Sequence, residues 1–435
     1  MRSKLLLTAT ALAAPIAFAQ PALAGPAKFG DPVKVGSEFT IDPIFDARLR
    51  WEHVDQPATD ADAVTLRVRA GAEFKHLPSH LALLVETEAT IGIDNHYNAY
   101  PGNLGLTNPP VSQFRPGYSV VADPENLELN RLQLQYKDKH VTVTVGRQRI
   151  NHDDQRWVGS VGWRQNEQTF DAVRGEGKIG PVGLDATYAI SQRTIFGYDS
   201  GIRAANDGHF FLLGASAKLG PVQLKAISYL LDFDPKETAG APAALVKQMA
   251  DTQTYGLRAN ASFKLSPKVT LGLFASYARQ SAWADNTLDF AADYIAAEGS
   301  LTYAGFTLTG GWEKLGSDVT VAGRRAVQTP LATLHKFNGW ADLFLVTPDN
   351  GLQDAYVSLA YKFPKVKALP GLNAAVGWHQ FDSDFGDIEY GHEWNALLGF
   401  KVGPVALLAK YAQFESASPA FANTRKYWLE ANYSF

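Results

Sequence analysis

Arg425 to Phe435 reads RKYWLEANYSF. Tyr427, Leu429, Ala431, Tyr433 and Phe435 share one parity, Lys426, Glu430, Asn432 and Ser434 share the other, and Trp428 breaks the split. Alternation with period two marks a strand with one apolar and one polar face. Such a strand suits either a soluble β domain or a barrel whose outside is lipid, and the rest of the chain decides between them.

The N-terminus points to export. Arg2 and Lys4 precede an apolar run from Leu5 to Ala19, followed by Ala22-Leu23-Ala24. A basic start, an apolar stretch and an A-x-A site predict a secretory signal peptide, residues 1–24, cut after Ala24. Its removal takes the formal net charge from −4 to −6, which argues against nucleic acid as a partner. The chain has no cysteine, so disulfides, thiolate metal sites and cysteine nucleophiles are excluded. Beyond the leader there is no apolar run of about 18 residues, hence no membrane helix. Yet 46% of residues are hydrophobic and 11% aromatic. Apolar content carried in alternating segments of an exported chain predicts a transmembrane β-barrel. A propeller or solenoid would show a fixed period of about 20–50 residues, and none is visible. In this setting the last strand resembles the closing strand of bacterial outer-membrane barrels. That likeness implies an outer-membrane location and recognition of Phe435 by the barrel-insertion machinery.

Residues 25–38 form a polar leader expected in the periplasm, and residues 39–435 the barrel. Eight short turns recur: 77–79, 137–139, 180–181, 220–221, 266–268, 304–305, 364–371 and 403–404. Gly and Pro punctuate most of them. Three share the form Lys-x-Gly-Pro-Val, at Lys178, Lys218 and Lys401. Longer polar segments alternate with the turns: 52–62, 94–125, 150–167, 194–207, 234–250, 282–290, 317–350, 381–391 and 415–425. Short turns on one side and long loops on the other define an antiparallel barrel with periplasmic turns and extracellular loops. Eight hairpins, an opening strand near Phe39–Trp51 and the closing strand give about 18 strands, an even number as closed bacterial barrels have. Residues 335–346 are placed in a long loop, because an odd count would put the termini on opposite sides.

The faces follow from parity. In Thr65–Phe74, Leu66, Val68, Ala70, Ala72 and Phe74 oppose Thr65, Arg67, Arg69, Gly71 and Glu73. About 18 strands enclose a lumen too wide for side chains to fill, so the apolar set faces lipid and the polar set lines water. Arg48, Arg50, Arg67 and Arg69 thus face the pore, as do Glu86 and Glu88 on the next strand and Arg131 beyond. A hairpin centred on Pro78 pairs 67 with 88 and 69 with 86, so that cross-strand ion pairs hold the arginines upright.

Val141 to Arg174, VTVTVGRQRINHDDQRWVGSVGWRQNEQTFDAVR, is the most unusual stretch. Arg147 and Arg149 carry the parity of Val141, Val143 and Val145. An arginine facing lipid at mid-membrane costs roughly 2–4 kcal/mol, so a bulge at Gly146 is expected to turn both into the pore. Alternatively the strand has already left the bilayer there. GRQRI, DDQRWVG and GWRQNEQTFDAVR resemble the core of the alginate-export family of outer-membrane proteins, over roughly residues 125–175. The resemblance implies an 18-stranded barrel with an arginine-rich constriction, and makes Arg147, Arg149, Arg156, Arg164 and Arg174 the constriction candidates.

His152-Asp153-Asp154 and the acidic run Asp382, Asp384, Asp387, Glu389 and Glu393 read as solvated loops, the latter lacking a full calcium-loop pattern. No nucleophile elbow, P-loop, zinc-ligand pair or dinucleotide fingerprint occurs after the leader, so neither cofactor nor metal is expected. The reading is a monomeric, non-enzymatic channel for polar, anionic solutes, surrounded by outer-membrane lipid and lipopolysaccharide. A dedicated exporter of an anionic exopolysaccharide such as alginate is the alternative. A barrel lipase or deacylase would need a serine or threonine paired with one of His209, His335, His379 or His392, and no spacing singles one out. A plugged structural barrel is the third class.

Overall fold

The computed structural model describes residues 30–102, 112–364 and 366–435. The expected cleavage site and signal peptide lie outside these residues. Eighteen antiparallel strands close into one barrel. In chain order they are β1 Phe39–Asp55, β2 Asp60–His76, β3 Leu81–His96, β4 Asn126–Lys137, β5 Val141–Gln148, β6 Thr169–Ile179, β7 Val182–Arg193, β8 Ala205–Leu219 and β9 Val222–Phe233. There follow β10 Thr252–Ser266, β11 Val269–Ala282, β12 Ala291–Tyr303, β13 Phe306–Leu315, β14 Leu352–Lys362, β15 Asn373–Asp382, β16 Glu389–Val402, β17 Val405–Ser416 and β18 Thr424–Ser434. The barrel closes where β18 pairs with β1, from Asp46 opposite Ser434 to Asp55 opposite Arg425. A three-residue strand, Val33–Val35, adds to the start of β1. No helix among the described residues is long and apolar enough to cross a membrane.

The Gly-Pro turns show why the hairpins are so tight. Ile179 lies directly opposite Val182, and Leu219 opposite Val222, so Gly-Pro alone makes each connection. Gly180, Gly220 and Gly403 each take a positive φ, 58°, 59° and 56°, as the first central residue of a two-residue hairpin turn of this kind requires. Residues 335–346 form no strand. They lie in the loop 316–351, with a single 3-10 turn at Leu334–Lys336.

The outward parity is apolar as expected: Leu134, Val145, Val173, Leu257 and Leu429 are all exposed. The inward parity is not simply a water-lined wall. Two loops, 149–168 and 316–351, fold into the lumen and are tied to each other by Gly159 N–H donating to Leu331 O (2.8 Å) and Val161 N–H donating to Thr333 Oγ1 (3.0 Å). They bring Ile150, Trp157, Val158, Leu331 and Phe344, which pack with inward strand residues such as Phe170, Phe381, Phe414 and Trp428 in one buried cluster. Side chains of the wall alone do not fill the barrel; the inturned loops fill its loop-side part. The first outer connection is also shorter than expected, because β1 and β2 run on to Asp55 and from Asp60.

Candidate functional site

A wall of arginines forms where period-two alternation on β1 and β2 sets Arg48, Arg50, Arg67 and Arg69 on the inward face. Arg50 is fully buried. Its Nε donates to Glu430 Oε1 (2.7 Å), its Nη1 to Asp123 Oδ2 (3.2 Å), and its guanidinium stacks on Trp163 at 4.3 Å. Arg48 donates to Asn432 Oδ1 (2.8 Å) and to the carbonyls of Trp163 (2.8 Å) and Gly162 (3.1 Å), fastening the loop 149–168 to the wall. Arg67 meets Asp46, and Arg69 meets Glu88 and Glu167. Arg131 forms a two-pronged pair with Glu86 (2.9 and 2.6 Å).

The pairing differs from the sequence expectation by two residues. Arg69 lies opposite Glu88, Arg67 opposite Thr90 and Glu86 opposite Gly71. The turn is not centred on Pro78: His76 pairs with Leu81, leaving four residues, 77–80, in the connection. A shift of two keeps every side chain on its face, so the ion-pair wall survives with Arg131 taking Glu86.

The inturned loop supplies the other arginines. Arg149, just past the end of β5, reaches Glu167, with Glu86 at 3.8 Å. Arg156 Nε lies 2.9 Å from Glu313, and its guanidinium covers the Phe337 ring at 4.8 Å. Arg164 bridges Glu52 and Asp342, each at 2.9 Å. Arg174, inward on β6, pairs with Asp185 and with Glu176 (2.9 Å). Although burial opposes it, Arg149 and Arg69 hold the Glu167 carboxyl down at about 2. Arg156 and Arg164 are thus buried braces between the two loops and the wall. Arg48, Arg131, Arg149 and Arg174 keep part of their side chains open.

Arg147 is placed differently from expectation. The ladder runs through Gly146 without a register shift, pairing Leu134 with Val145 and Leu132 with Arg147 on one side, and Val145 with Val173 and Arg147 with Asp171 on the other. Leu132, Leu134, Val145 and Val173 are exposed on the outside, and Thr144 and Gln148 are buried on the inside. Arg147 is therefore outward. Asp171 neutralises it through two bonds of 2.8 Å, and it sits one residue from the outer end of β5, where a charge facing lipid costs little. Gly146 answers a different need. Its φ is +110°, and a Cβ there would lie 2.3 Å from the Leu132 carbonyl oxygen.

One cluster escaped the sequence reading. Lys410 Nζ lies 3.9 Å from the Trp163 ring centre and 3.9 Å from that of Trp340, with Trp428 at 5.2 Å. It donates to His335 Nε2 (2.8 Å), and the opposite ring nitrogen, Nδ1, donates to Asp342 (2.7 Å). That chain needs a neutral imidazole; burial and the neighbouring Lys410 ammonium push His335 down to about 3, against Asp342. The signal for the cluster was Trp428, the residue that broke the alternation of the closing strand. His152, Asp153 and Asp154 diverge toward Tyr229, Lys225 and Arg258 respectively. Among the described residues no group of three or more His, Cys, Asp or Glu is set to hold a metal ion.

Fold and site together define a class: a porin-like outer-membrane β-barrel narrowed by loops turned into its lumen. The sequence model of the alginate-export family matches residues 45–263, half of the chain, and the protein belongs to that family. No curated protein sequence matches it. Among solved structures it is similar to OpdL of Pseudomonas aeruginosa (15% identity, TM-score 0.64, covering 91% of this chain and 98% of that one). A BenF-like porin from Pseudomonas fluorescens Pf-5 is similar at 15% identity and TM-score 0.65, covering 91% and 98%. So is Pseudomonas aeruginosa OccK2 (OpdF) in complex with glucuronate, at 12% identity and TM-score 0.64, covering 91% and 98%. At these identities the likeness is one of fold.

Proposed function

We propose that the protein is a monomeric outer-membrane channel that passes polar, anionic solutes through an arginine-lined constriction. One observation carries the reading. In three pairs of the wall the carboxylate is the buried partner and the arginine the open one: side-chain exposure is 15% for Arg131 against 2% for Glu86, 30% for Arg149 against 2% for Glu167, and 15% for Arg48 against 3% for Glu430. Arg67 with Asp46 and Arg174 with Glu176 run the other way, and Arg50 and Arg156 are buried with their carboxylates. A passing solute therefore meets the cationic side of Arg48, Arg131 and Arg149. Guanidinium donors replace part of an anion's hydration, while the carboxylates behind them keep any one site from holding too tightly. The glucuronate bound by OccK2, a carboxylated sugar, is the kind of solute such a wall suits. Membership of the alginate-export family favours a second reading on the same wall, dedicated export of an anionic exopolysaccharide. Export by a signal peptide ending at Ala24, and insertion guided by Phe435, belong to the same proposal.

The test is the reversal potential across a KCl gradient in planar bilayers, for wild type and for Arg131→Gln/Arg149→Gln. The double variant should lose much of its anion preference at low salt and less at high salt, because screening shortens the reach of the charges. An unchanged potential at low salt would overturn the arginine-constriction mechanism.

A further inference from the structure

Across the barrel from the arginine wall stands a carboxylate that neither the constriction nor the loop braces use. Either way round the 18 strands, β12 is nine strands from β3. Tyr294, Ala296 and Glu298 of β12 are buried on the inward parity. The other carboxylates of this region each hold a basic side chain: Asp154 has Arg258 (2.6 Å), Glu313 has Arg156 (2.9 Å) and Asp354 has His379 (2.9 Å). Glu298 makes no ion pair with any described residue. Its Oε2 accepts from the Tyr356 hydroxyl at 2.7 Å, and that donor is neutral.

The wall is shaped to bring these two groups together. Glu298 lies opposite Phe274 of β11 on one side and Gly311 of β13 on the other. Tyr356 stands on β14, opposite Gly311. Reaching Glu298 takes it over β13, across two strand spacings of about 10 Å in all. A Cβ on Gly311 would sit 2.4 Å from the Tyr356 Cζ and hydroxyl oxygen. Gly311 therefore clears the path of the phenol. The carboxylate ends up between two aromatic residues, Tyr356 and Phe274. The Phe274 ring already attracts one cation, the Arg258 guanidinium 5.0 Å from its centre, which Asp154 holds in place.

Hydroxyl groups flank the carboxylate above and below. One step toward the loops, Ser276 is 5% exposed and its hydroxyl has no partner among the described residues. One step toward the turns, Gly272, Ser300 and Thr309 follow one another along a single rung of the ladder. Gly272 leaves room beneath Phe274, and the other two present hydroxyls to the lumen side of the wall.

We propose that Glu298, Tyr356 and Phe274 form a subsite for a primary ammonium group, and that its ligand is an aminated, hydroxylated solute of the amino-sugar class. A carboxylate in a low-dielectric wall attracts a cation more strongly than it would in water, and ring faces beside it add to the attraction. A primary ammonium donates three hydrogen bonds. Glu298 takes one, and the Ser276 hydroxyl is placed for a second. Ser300 and Thr309 match the hydroxyls of a sugar ring. A hard metal ion would want six or more oxygen ligands, and the site offers one carboxylate. None of these residues belongs to the arginine wall, so the subsite adds a second ligand chemistry to the channel.

The test uses the full-length protein in planar bilayers at about pH 6.5, where an amine of this kind is charged. Glucosamine is added, and the dwell times of its transient current interruptions are measured for wild type, Glu298→Gln, Glu298→Asp and Phe274→Leu. N-acetylglucosamine, the same sugar without the charge, is the control. Glu298→Gln should shorten the glucosamine dwell about tenfold, and Glu298→Asp should restore part of it. Phe274→Leu keeps the carboxylate and removes the ring face, and should shorten the dwell about threefold; it also decides the matter if Glu298→Gln fails to insert. Equal dwell times in wild type and these variants, interruptions as long with N-acetylglucosamine, or no interruption of the wild type by glucosamine would overturn the subsite. The arginine wall is judged separately by the reversal potential of Arg131→Gln/Arg149→Gln, so either idea can fall while the other stands.

Discussion

The inward arginines of β1 and β2 and the inward lysines beside the short turns are both cations on the same parity, yet they live in opposite circumstances. Arg50 is sealed against Glu430, Asp123 and the Trp163 ring. Lys218 stands opposite Gln223 with no ion pair among the described residues. Guanidinium is planar, forks onto carboxylates and stacks on rings, whereas a lysine ammonium is a hydrated point charge on a flexible stem. The sequence uses each where its chemistry fits. Arginine holds a fixed shape among carboxylates and rings, and lysine carries its charge without one.

The largest expected break in this contrast comes from Arg50→Ala. Removing one partner of a buried pair strands Glu430 and Asp123, at a cost of roughly 3–5 kcal/mol. The urea midpoint of the refolded barrel, followed by heat-dependent gel mobility, should drop accordingly. Lys218→Ala, by contrast, should change stability by less than about 0.5 kcal/mol, as surface substitutions usually do. Equal effects of the two would erase the distinction between structural and free cations.

A smaller effect tests the backbone of β5. Gly146→Ala places a Cβ in a left-handed region and 2.3 Å from the Leu132 carbonyl oxygen, so β4 or β5 must shift. A loss of roughly 1–3 kcal/mol is expected in the same unfolding assay, with Arg147 still outside. Wild-type stability would mean that the ladder gives way there without strain.

How much of this was legible beforehand follows from the range of the forces involved. Alternation and turn residues are local, so the hairpin train, the even strand count and the inward faces of Arg48, Arg50, Arg67 and Arg69 could be read directly. Register within a hairpin depends on where the turn begins, and a hairpin centred on Pro78 missed by two residues what His76 opposite Leu81 fixed. The folding of residues 149–168 and 316–351 into the lumen depends on contacts such as Arg164 with Asp342 and Trp163 with Lys410, between residues far apart in the chain. Parity cannot report such contacts. The misfit of Trp428 in the last strand was a trace of them, because a large indole on a polar face needs something to pack on, and the inturned loop provides it.

The smallest expected effect belongs to Arg147, and it separates position from composition. By sequence Arg147 and Arg149 are equivalent: same residue, same parity, two positions apart in GRQRI. In the fold Arg149 reaches Glu167 inside the lumen, while Arg147 pairs with Asp171 outside. The strand wall separates Arg147 from the permeation path, and its charge is already balanced by a bidentate carboxylate. Arg147→Gln should therefore leave the reversal potential unchanged at low salt, where Arg149→Gln lowers anion preference. It should instead slow assembly or lower the urea midpoint modestly, because Asp171 is left without its partner near the outer end of β5. A shift in reversal potential from Arg147→Gln as large as that from Arg149→Gln would mean that the chain turns at Gly146 after all, and that charge count rather than the facing of the strand sets the selectivity.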